Sequence, residues 1–434
     1  MYYKYDPKYF LTQLFVNRIF RLNFRKLIIT GKENIPAGKP IIYAPTHRNA
    51  LVDALILVHE NVKQQVVFLA RADIFKKDWV VKILDFLRIM PVYRLRDGKE
   101  NLSKNQEIFE NCRTILQARN PLCLFPEAKY NPHQNLLPLQ KAIPRIALPT
   151  EALEDFSLDT HIVPIAFYYL SKDSFLSDLY VTYGVPIKVS AYKELYQKDE
   201  NQALNRLRLD LDARLRESVV DIPEENYNEI AVLIDVNAQS LVAKSYPEKD
   251  GLIPASQEIV RQMNRLKSEN PDDYLDKIRS IRETIEILKK HNLTTKDPIS
   301  TPVNHIQILG RFLSLVLTLP IAFVGLLNTI FPILIYRKVL GMFKDKQFIS
   351  SLRIVVGIFI VPLFYLIQAF VLGLVVYSFP LGLLYLIASP IVFYFGAYWR
   401  KWWKETIQMD KVRLFKKNNF DLWDEVKSVL NLPK

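Results

Sequence analysis

The order of apolar and polar positions divides the chain into three stretches with different periods. Between residues 26 and 190, short runs rich in β-branched and aromatic residues alternate with segments of helical period. KLIITG, PIIYAP, QVVFLA, LCLFP, IVPIAFYY and LYVTYG have the length of strands, and helical periodicity fills the intervals near 50–60, 73–87, 100–118 and 139–153. Such alternation predicts an α/β layered domain, a mixed sheet flanked by helices, over 31–190. From 191 to 300 strand signals vanish. LNRLRLDLDARLRE and DYLDKIRSIRETIEILKKH predict a helical extension there, closed off by the linker TTKDPISTPVN.

The third stretch, 301–400, is of another kind. Phe312–Ile335 is a run of 24 residues without a charge and Ile354–Trp399 one of 46, against the roughly 20 apolar residues that span a bilayer. The second run is long enough for two spans, near 354–377 and 380–399, broken at Ser378, Phe379 and Pro380, hence a hairpin. The first carries Pro320 and Pro332 with Gly325 and Asn328 between them, so it is either one kinked span or a broken, re-entrant segment. Tyr336, Trp399, Trp402 and Trp403 stand at the run ends, where interface anchors belong.

Charge decides between these readings. The net charge of +13 resides in three stretches: 1–30, the loop 336–353 and the tail 401–434 with its neighbour Arg400, while the sequence between them is neutral as a whole. Cations flanking apolar runs are the mark of a cytoplasmic membrane face, whereas a nucleic-acid binder carries them on its folded domain, so no nucleic-acid partner is expected. A re-entrant 312–335 segment leaves all three basic stretches on one side, and that arrangement is preferred. The expectation is an integral membrane protein of a bacterial inner membrane or an endoplasmic-reticulum type membrane, with its α/β domain cytoplasmic. No cleavable signal peptide is visible. In KYFLTQLFVNRIFRLNFRK, Leu11, Phe15, Ile19 and Leu22 recur at helical spacing among Arg18, Arg21, Arg25 and Lys26. That suits an amphipathic helix within 1–30, lying on an anionic bilayer or packed on the protein. Two cysteines, Cys112 and Cys123, make no disulfide framework, and the absence of G-x-G-x-x-G and G-K-[ST] removes dinucleotide and P-loop enzymes.

Four patches at strand ends carry candidate chemistry. In APTHRNALVDAL, Asp53 follows His47 by six residues. Six residues of helix turn through roughly 600°, leaving side chains about 120° apart, so direct pairing requires His47 to sit in the turn before the helix. An imidazole so held can take a hydroxyl proton while the carboxylate fixes its tautomer. RIMPVYRLRDG places Arg94 and Arg96 after a short apolar run, suited to a phosphate by forked hydrogen bonds or to a solvated basic turn. In LCLFPEAKYNPHQNLLPLQKAIPRIAL, Glu127 follows an apolar strand and a proline, with Lys129, Lys141 and Arg145 near it in sequence. Pro164 interrupts the strand IVPIAFYY, which argues for an edge or a bulge. The remaining histidines show no metal-ligand spacing, and no Ser or Cys sits in a nucleophile elbow.

The order of these patches, His47 with Asp53, Pro91 with Arg94, Phe125-Pro126-Glu127, then Val163-Pro164, resembles the four blocks of the phospholipid/glycerol acyltransferase superfamily over about 40–186. The APTHRN context, the helical insert and the apolar C-terminal third look like its fungal-type glycerol-3-phosphate/dihydroxyacetone-phosphate acyltransferase branch and bacterial relatives. The resemblance implies transfer of a fatty acyl group from acyl-CoA or acyl carrier protein, as co-substrate, to a hydroxyl of glycerol 3-phosphate or 1-acyl-glycerol 3-phosphate, with no metal, no cofactor and no acyl-enzyme. It implies that His47 is the general base and Asp53 orients it. Arg94 would meet the acceptor phosphate with Arg96 beside it, Glu127 belongs to the acceptor-binding block with Lys129, Lys141 and Arg145, and Pro164 lies in the block associated with the acyl donor. Ala128 and Ala142 stand where glycine is common, and Thr46 where asparagine is usual. A methyl at 128 is expected to close off glycine-only backbone angles, with Lys129 supplying charge to the phosphate cradle. The same fold acting on a lysophospholipid, ornithine lipid or sugar lipid, or serving as an idle membrane binding module, are the alternative readings.

Overall fold

The computed structural model describes residues 2, 4–62, 64–93, 104–247, 250–295, 305–342 and 349–432. They form two compact units, one reaching to Asp221 and including 349–354, the other comprising most of the remainder.

The first unit is built on a mixed eight-stranded sheet: β1 (Phe24–Thr30), β2 (Ile41–Pro45), β3 (Val67–Arg71), β4 (Ile89–Val92), β5 (Leu122–Cys123), β6 (His161–Tyr169), β7 (Ser177–Tyr183) and β8 (Ile187–Lys188). Their order is β1-β7-β6-β2-β5-β3-β4, with β8 beside β6; β7 and β8 run antiparallel to β6 and the other pairings are parallel. All five residues of β2 are buried, as a parallel strand covered on both faces demands. The helices are α1 (Pro7–Arg21), α2 (Ala50–Glu60), α3 (Asp78–Phe86), α4 (Lys104–Gln117), α5 (Ala142–Leu153), α6 (Lys193–Lys198) and α7 (Glu200–Ser218). Cys112 and Cys123 are free and buried.

Three features differ from the expectations above. Ile89–Val92 is a strand, although a four-residue run holding a proline gives little period-2 signal; as the edge strand β4 it tolerates Pro91. The domain extends to Asp221, because Leu204, Leu207, Leu211 and Leu215 of α7 pack into the same core as Ile42, Val67 and Ile146. Pro164 is not on a sheet edge: β6 is flanked by β2 on one side and by β7 and β8 on the other. Its missing N–H falls where the partner changes from β7 to β8, and there the Pro164 carbonyl accepts Gly184 N–H at 2.9 Å. A Cβ on Gly184 would lie 2.9 Å from the Pro164 ring, so only glycine admits this approach.

Helix α1 buries Tyr9, Gln13, Asn17 and Phe20 against the domain, while Leu11 (66%), Phe15 (47%) and Leu22 (45%) remain exposed. Its inward face thus joins two aromatic and two polar side chains, while Leu11, Leu14 and Phe15 lie on the exposed face. Trp79 and Ile83 of α3 are also exposed.

The second unit contains α8 (Tyr227–Ser245), α9 (Leu252–Glu269) and α10 (Pro271–Lys290), followed by α11 (His305–Asn328), α12 (Ile330–Leu340), α14 (Val361–Val375), α15 (Phe379–Asn418) and α16 (Phe420–Leu430); α13 (Ile349–Val355) begins in the first unit. His305–Asn328, Ile349–Val375 and Phe379–Asn418 are long and apolar enough to cross a membrane. Small residues bring these helices together: Gly325 lies against Val392 O and Gly382 against Ala369 O, both closer than any Cβ permits. Helices α11 and α15 run antiparallel, from the Arg413–His305 contact to the Gly325–Val392 approach. Helix α11 then stops at Thr329, and α12 starts with Phe331 stacked on Phe364 (5.6 Å) and packs along 356–360, so it turns back rather than continuing.

Nor are residues 401–434 a tail through 432. They continue α15 and form α16, whose Trp423, Val426 and Leu430 share a core with Val236 and Leu288, while Asn237 Nδ2 donates to Leu430 O at 2.9 Å. Their net positive charge hides this apolar stripe at helical spacing.

Candidate active site

The site forms at the carboxyl ends of three neighbouring strands, β2, β5 and β6. Strand β2 ends at Pro45, and Thr46 ties the exit to β6: its N–H donates to Ile165 O (2.9 Å) and its Oγ1 accepts Phe167 N–H (3.1 Å). His47, Arg48 and Asn49 make the turn, and α2 begins at Ala50. His47 therefore stands before the helix, which is the geometric condition for reaching Asp53. His47 Nδ1 lies 3.1 Å from Asp53 Oδ2.

Asp53 is fully buried and holds four donors. Oδ2 accepts His47 Nδ1–H and the backbone N–H groups of Arg48 and Asn49, both at 2.7 Å; Oδ1 accepts the Tyr169 hydroxyl at 2.6 Å. Burial first, then the adjacent Asp53 carboxylate, pushes the Tyr169 phenol far above its ordinary range, so it stays protonated and donates. A carboxylate so saturated is fixed in orientation. With Nδ1–H directed at Asp53, His47 Nε2 holds the free lone pair on a side chain 22% exposed. Phe125 packs on the imidazole at 4.2 Å between centroids and Tyr130 meets it edge-on at 6.1 Å. The arrangement can remove a proton from a hydroxyl delivered to the open side of His47.

Glu127 arrives from the end of β5 and is buried. Its partner is Arg48, not one of the three cations near it in sequence: Arg48 Nη1 lies 3.2 Å from both carboxylate oxygens, and both side chains are fully buried. Glu127 also accepts His47 N–H (3.1 Å) and Leu137 N–H (3.0 Å). It thus fixes the backbone of the turn that carries His47 and of the 126–141 loop at once. Ala128 keeps the left-handed conformation that glycine favours, at φ 53°, despite its methyl group. A non-glycine residue pays roughly 1–2 kcal/mol for this, and the bonds of Glu127 on one side and Ala128 N–H to Phe125 O (3.0 Å) on the other hold it there.

Lys129 and Arg145 are exposed and Lys141 half-buried; none makes a side-chain hydrogen bond or ion pair among the described residues. Arg94 and Arg96 lie outside the described residues. Pro164 sits beside Ala44, upstream of the ring of polar groups, so the structure brings together His47, Asp53 and Glu127 and leaves Pro164 below them. Three contributors escape the sequence reading. Arg48 could have been found as a charge next to His47 in an apolar context with a partnerless Glu127 elsewhere. Tyr169 gives no local signal, because it closes on Asp53 across 116 residues. Lys172 follows β6 and donates to Pro132 O; burial lowers its pKa to about 8, with Asp173, Arg48 and Asp53 adding smaller effects.

Residues 26–168, from β1 to the end of β6, match a family model described as Acyltransferase. Over 104 residues the chain is 27% identical to glycerol-3-phosphate O-acyltransferase 2 of Saccharomyces cerevisiae, covering 24% of this chain and 14% of that protein. The chain thus spans about a seventh of that relative's length. Among solved structures, the 1-acyl-sn-glycerophosphate (LPA) acyltransferase PlsC of Thermotoga maritima aligns over 48% of this chain and 76% of its own, with 17% identity and a TM-score of 0.33.

Proposed function

We propose that this chain, whose residues 26–168 match a family model described as Acyltransferase, belongs to the phospholipid/glycerol acyltransferase superfamily and moves a fatty acyl group from acyl-CoA or acyl carrier protein to a hydroxyl of glycerol 3-phosphate or 1-acyl-glycerol 3-phosphate in phospholipid biosynthesis. The observation that carries this reading is the His47–Asp53 dyad, with Nδ1 committed to a buried carboxylate and Nε2 without a hydrogen-bond partner among the described residues.

His47 Nε2 takes the acceptor hydroxyl proton as the oxygen attacks the thioester carbonyl. Asp53 stabilises the imidazolium that forms. Collapse of the tetrahedral intermediate breaks the C–S bond, forms the ester, and returns the proton from His47 to the departing thiolate. Glu127, engaged by Arg48, shapes the loop that carries Lys129, and Lys129, Lys141 and Arg145, which are unpaired among the described residues, are suited together with Arg94 of the sequence to an acceptor phosphate.

The test is thiol release by the purified protein with acyl-CoA or acyl carrier protein and a panel of phosphorylated and unphosphorylated acceptors. Release is expected with glycerol 3-phosphate or its 1-acyl derivative, and with no acceptor that lacks the phosphate. Arg94→Ala and Lys129→Ala are expected to raise KM for the phosphorylated acceptor and leave KM for the thioester nearly unchanged, because a phosphate contact is mostly uniform binding. Release with an ornithine lipid or sugar lipid instead would move the acceptor class, and no release with any would leave a binding module.

The membrane arrangement belongs to the same reading. The turn-back of α12 supports a re-entrant 312–335 segment, which keeps Arg337, Lys338 and the basic residues of α15 on one face of the membrane. Cysteines placed at Lys338 and Lys417 are expected to react with a membrane-impermeant thiol reagent only after cells are opened, and the native cysteines can stay because both are buried. Labelling of either in intact cells would show that the segment crosses fully.

A further inference from the structure

Residues 349–354 follow Leu51 by about three hundred positions, yet they fold in the same compact unit as the dyad. Three contacts hold them there. Ser350 Oγ–H donates to Asn49 Oδ1, Leu51 N–H donates to Ser351 Oγ at 3.3 Å, and Arg353 donates to Asp173 O in the turn after β6. Ser350, Ser351 and Ile354 are buried.

The two serine contacts fall on either side of Ala50, whose φ of 37° lies in the left-handed region. A non-glycine residue stays in such a conformation only where its surroundings over-determine it. Asp53 grips the turn from within, through Arg48 N–H and Asn49 N–H, and the serines grip it from outside. Asn49 makes no side-chain cap to α2, since its side-chain oxygen is taken by Ser350; Ser351 satisfies one of the first-turn N–H groups in its place. Without the two hydroxyls, Ala50 is free to relax, Asn49 N–H swings away from Asp53 Oδ2, and the carboxylate loses its aim at His47.

We propose that Ser350 and Ser351 are positioning residues of the His47–Asp53 dyad, completing from a distant segment the turn that presents His47. The proposal rests on the reading of His47 as general base. The titratable and charged groups around the imidazole are Asp53, Arg48, Glu127, Tyr130, Tyr169 and Lys172. Asp53 bonds the ring at Nδ1, so a loosened turn acts on His47 by weakening that bond.

The test uses the full chain carrying Ser350→Ala and Ser351→Ala together, with Ser350→Thr and Ser351→Thr as the hydroxyl-retaining controls. Two readouts are taken from pH 5 to 9: kcat and KM for both substrates, and the rate of carbethoxylation of His47 by diethyl pyrocarbonate, followed by mass spectrometry of its peptide. The double alanine variant is expected to lose about tenfold in kcat with both KM values within about twofold. Its His47 carbethoxylation curve should depart from the wild-type curve as the ring loses its bond to Asp53, and the threonine variants should recover both. Wild-type kcat with a wild-type carbethoxylation curve overturns the proposal, as does a loss of thermal stability that leaves the curve unmoved. If the wild-type protein transfers acyl groups to no acceptor, the proposed function fails, and the carbethoxylation curve alone decides the positioning role. Should the double variant fail to accumulate, the single alanine variants are read by the same two measurements.

Discussion

His47→Ala lowers kcat by roughly 10²- to 10⁴-fold, the worth of a positioned general base, while expression and thermal stability stay close to wild type. Stability is spared because the ring is partly exposed and its loss strips only one of four donors from Asp53; Arg48 N–H, Asn49 N–H and the Tyr169 hydroxyl remain. Asp53→Asn is comparably severe for a different reason. An amide can offer its NH₂ to Nδ1 and so leave His47 with the wrong tautomer, the proton on Nε2. That same NH₂, turned toward Arg48 N–H and Asn49 N–H, would set donors against donors, so this variant also loses stability. Steady-state thiol release and a thermal melt on both variants check the pair. Near-normal turnover by His47→Ala removes it from the chemistry.

The sequence made the sheet and the dyad legible because both are local. Strand runs such as IIYAP and IVPIAFYY are apolar without interruption, and His47 and Asp53 lie within one turn and the start of one helix. What stayed hidden is what depends on distant segments meeting. Arg48 finds Glu127 across 79 residues and Tyr169 finds Asp53 across 116. A proline in β6 reads as an edge marker, and nothing local tells that its strand changes partner beside it. The positive charge of 401–434 likewise reads as a solvated tail until Trp423, Val426 and Leu430 are seen packed in a core. Ala128 is instructive in the opposite direction: a methyl group argues against a left-handed backbone, yet the loop keeps it, because bonds on both sides outweigh a local preference of roughly 1–2 kcal/mol.

Arg48→Met destabilises the first unit by about 3–5 kcal/mol, because it leaves Glu127 as an uncompensated buried charge. Arg48 and Glu127 side chains are 1% and 0% exposed, so water cannot take the place of the lost partner. Glu127→Gln is milder. The glutamine retains one oxygen for the N–H of His47 or Leu137, and Arg48 keeps a neutral acceptor. The combination Arg48→Met with Glu127→Gln should be more stable than Arg48→Met alone, since the buried charge is gone together with its partner, and the excess over additivity measures the coupling. A melt of the solubilised protein reads this directly, at roughly 2–4 °C per kcal/mol for a domain of this size. Activity separates the pair's two tasks. If Glu127 acts by holding the turn and loop, the double variant regains stability but not turnover, because His47 N–H and Leu137 N–H still lack one of their acceptors. Recovery of both would mean that the ion pair serves the core alone, and a melting temperature unchanged in Arg48→Met would remove the buried pair from the account of the site.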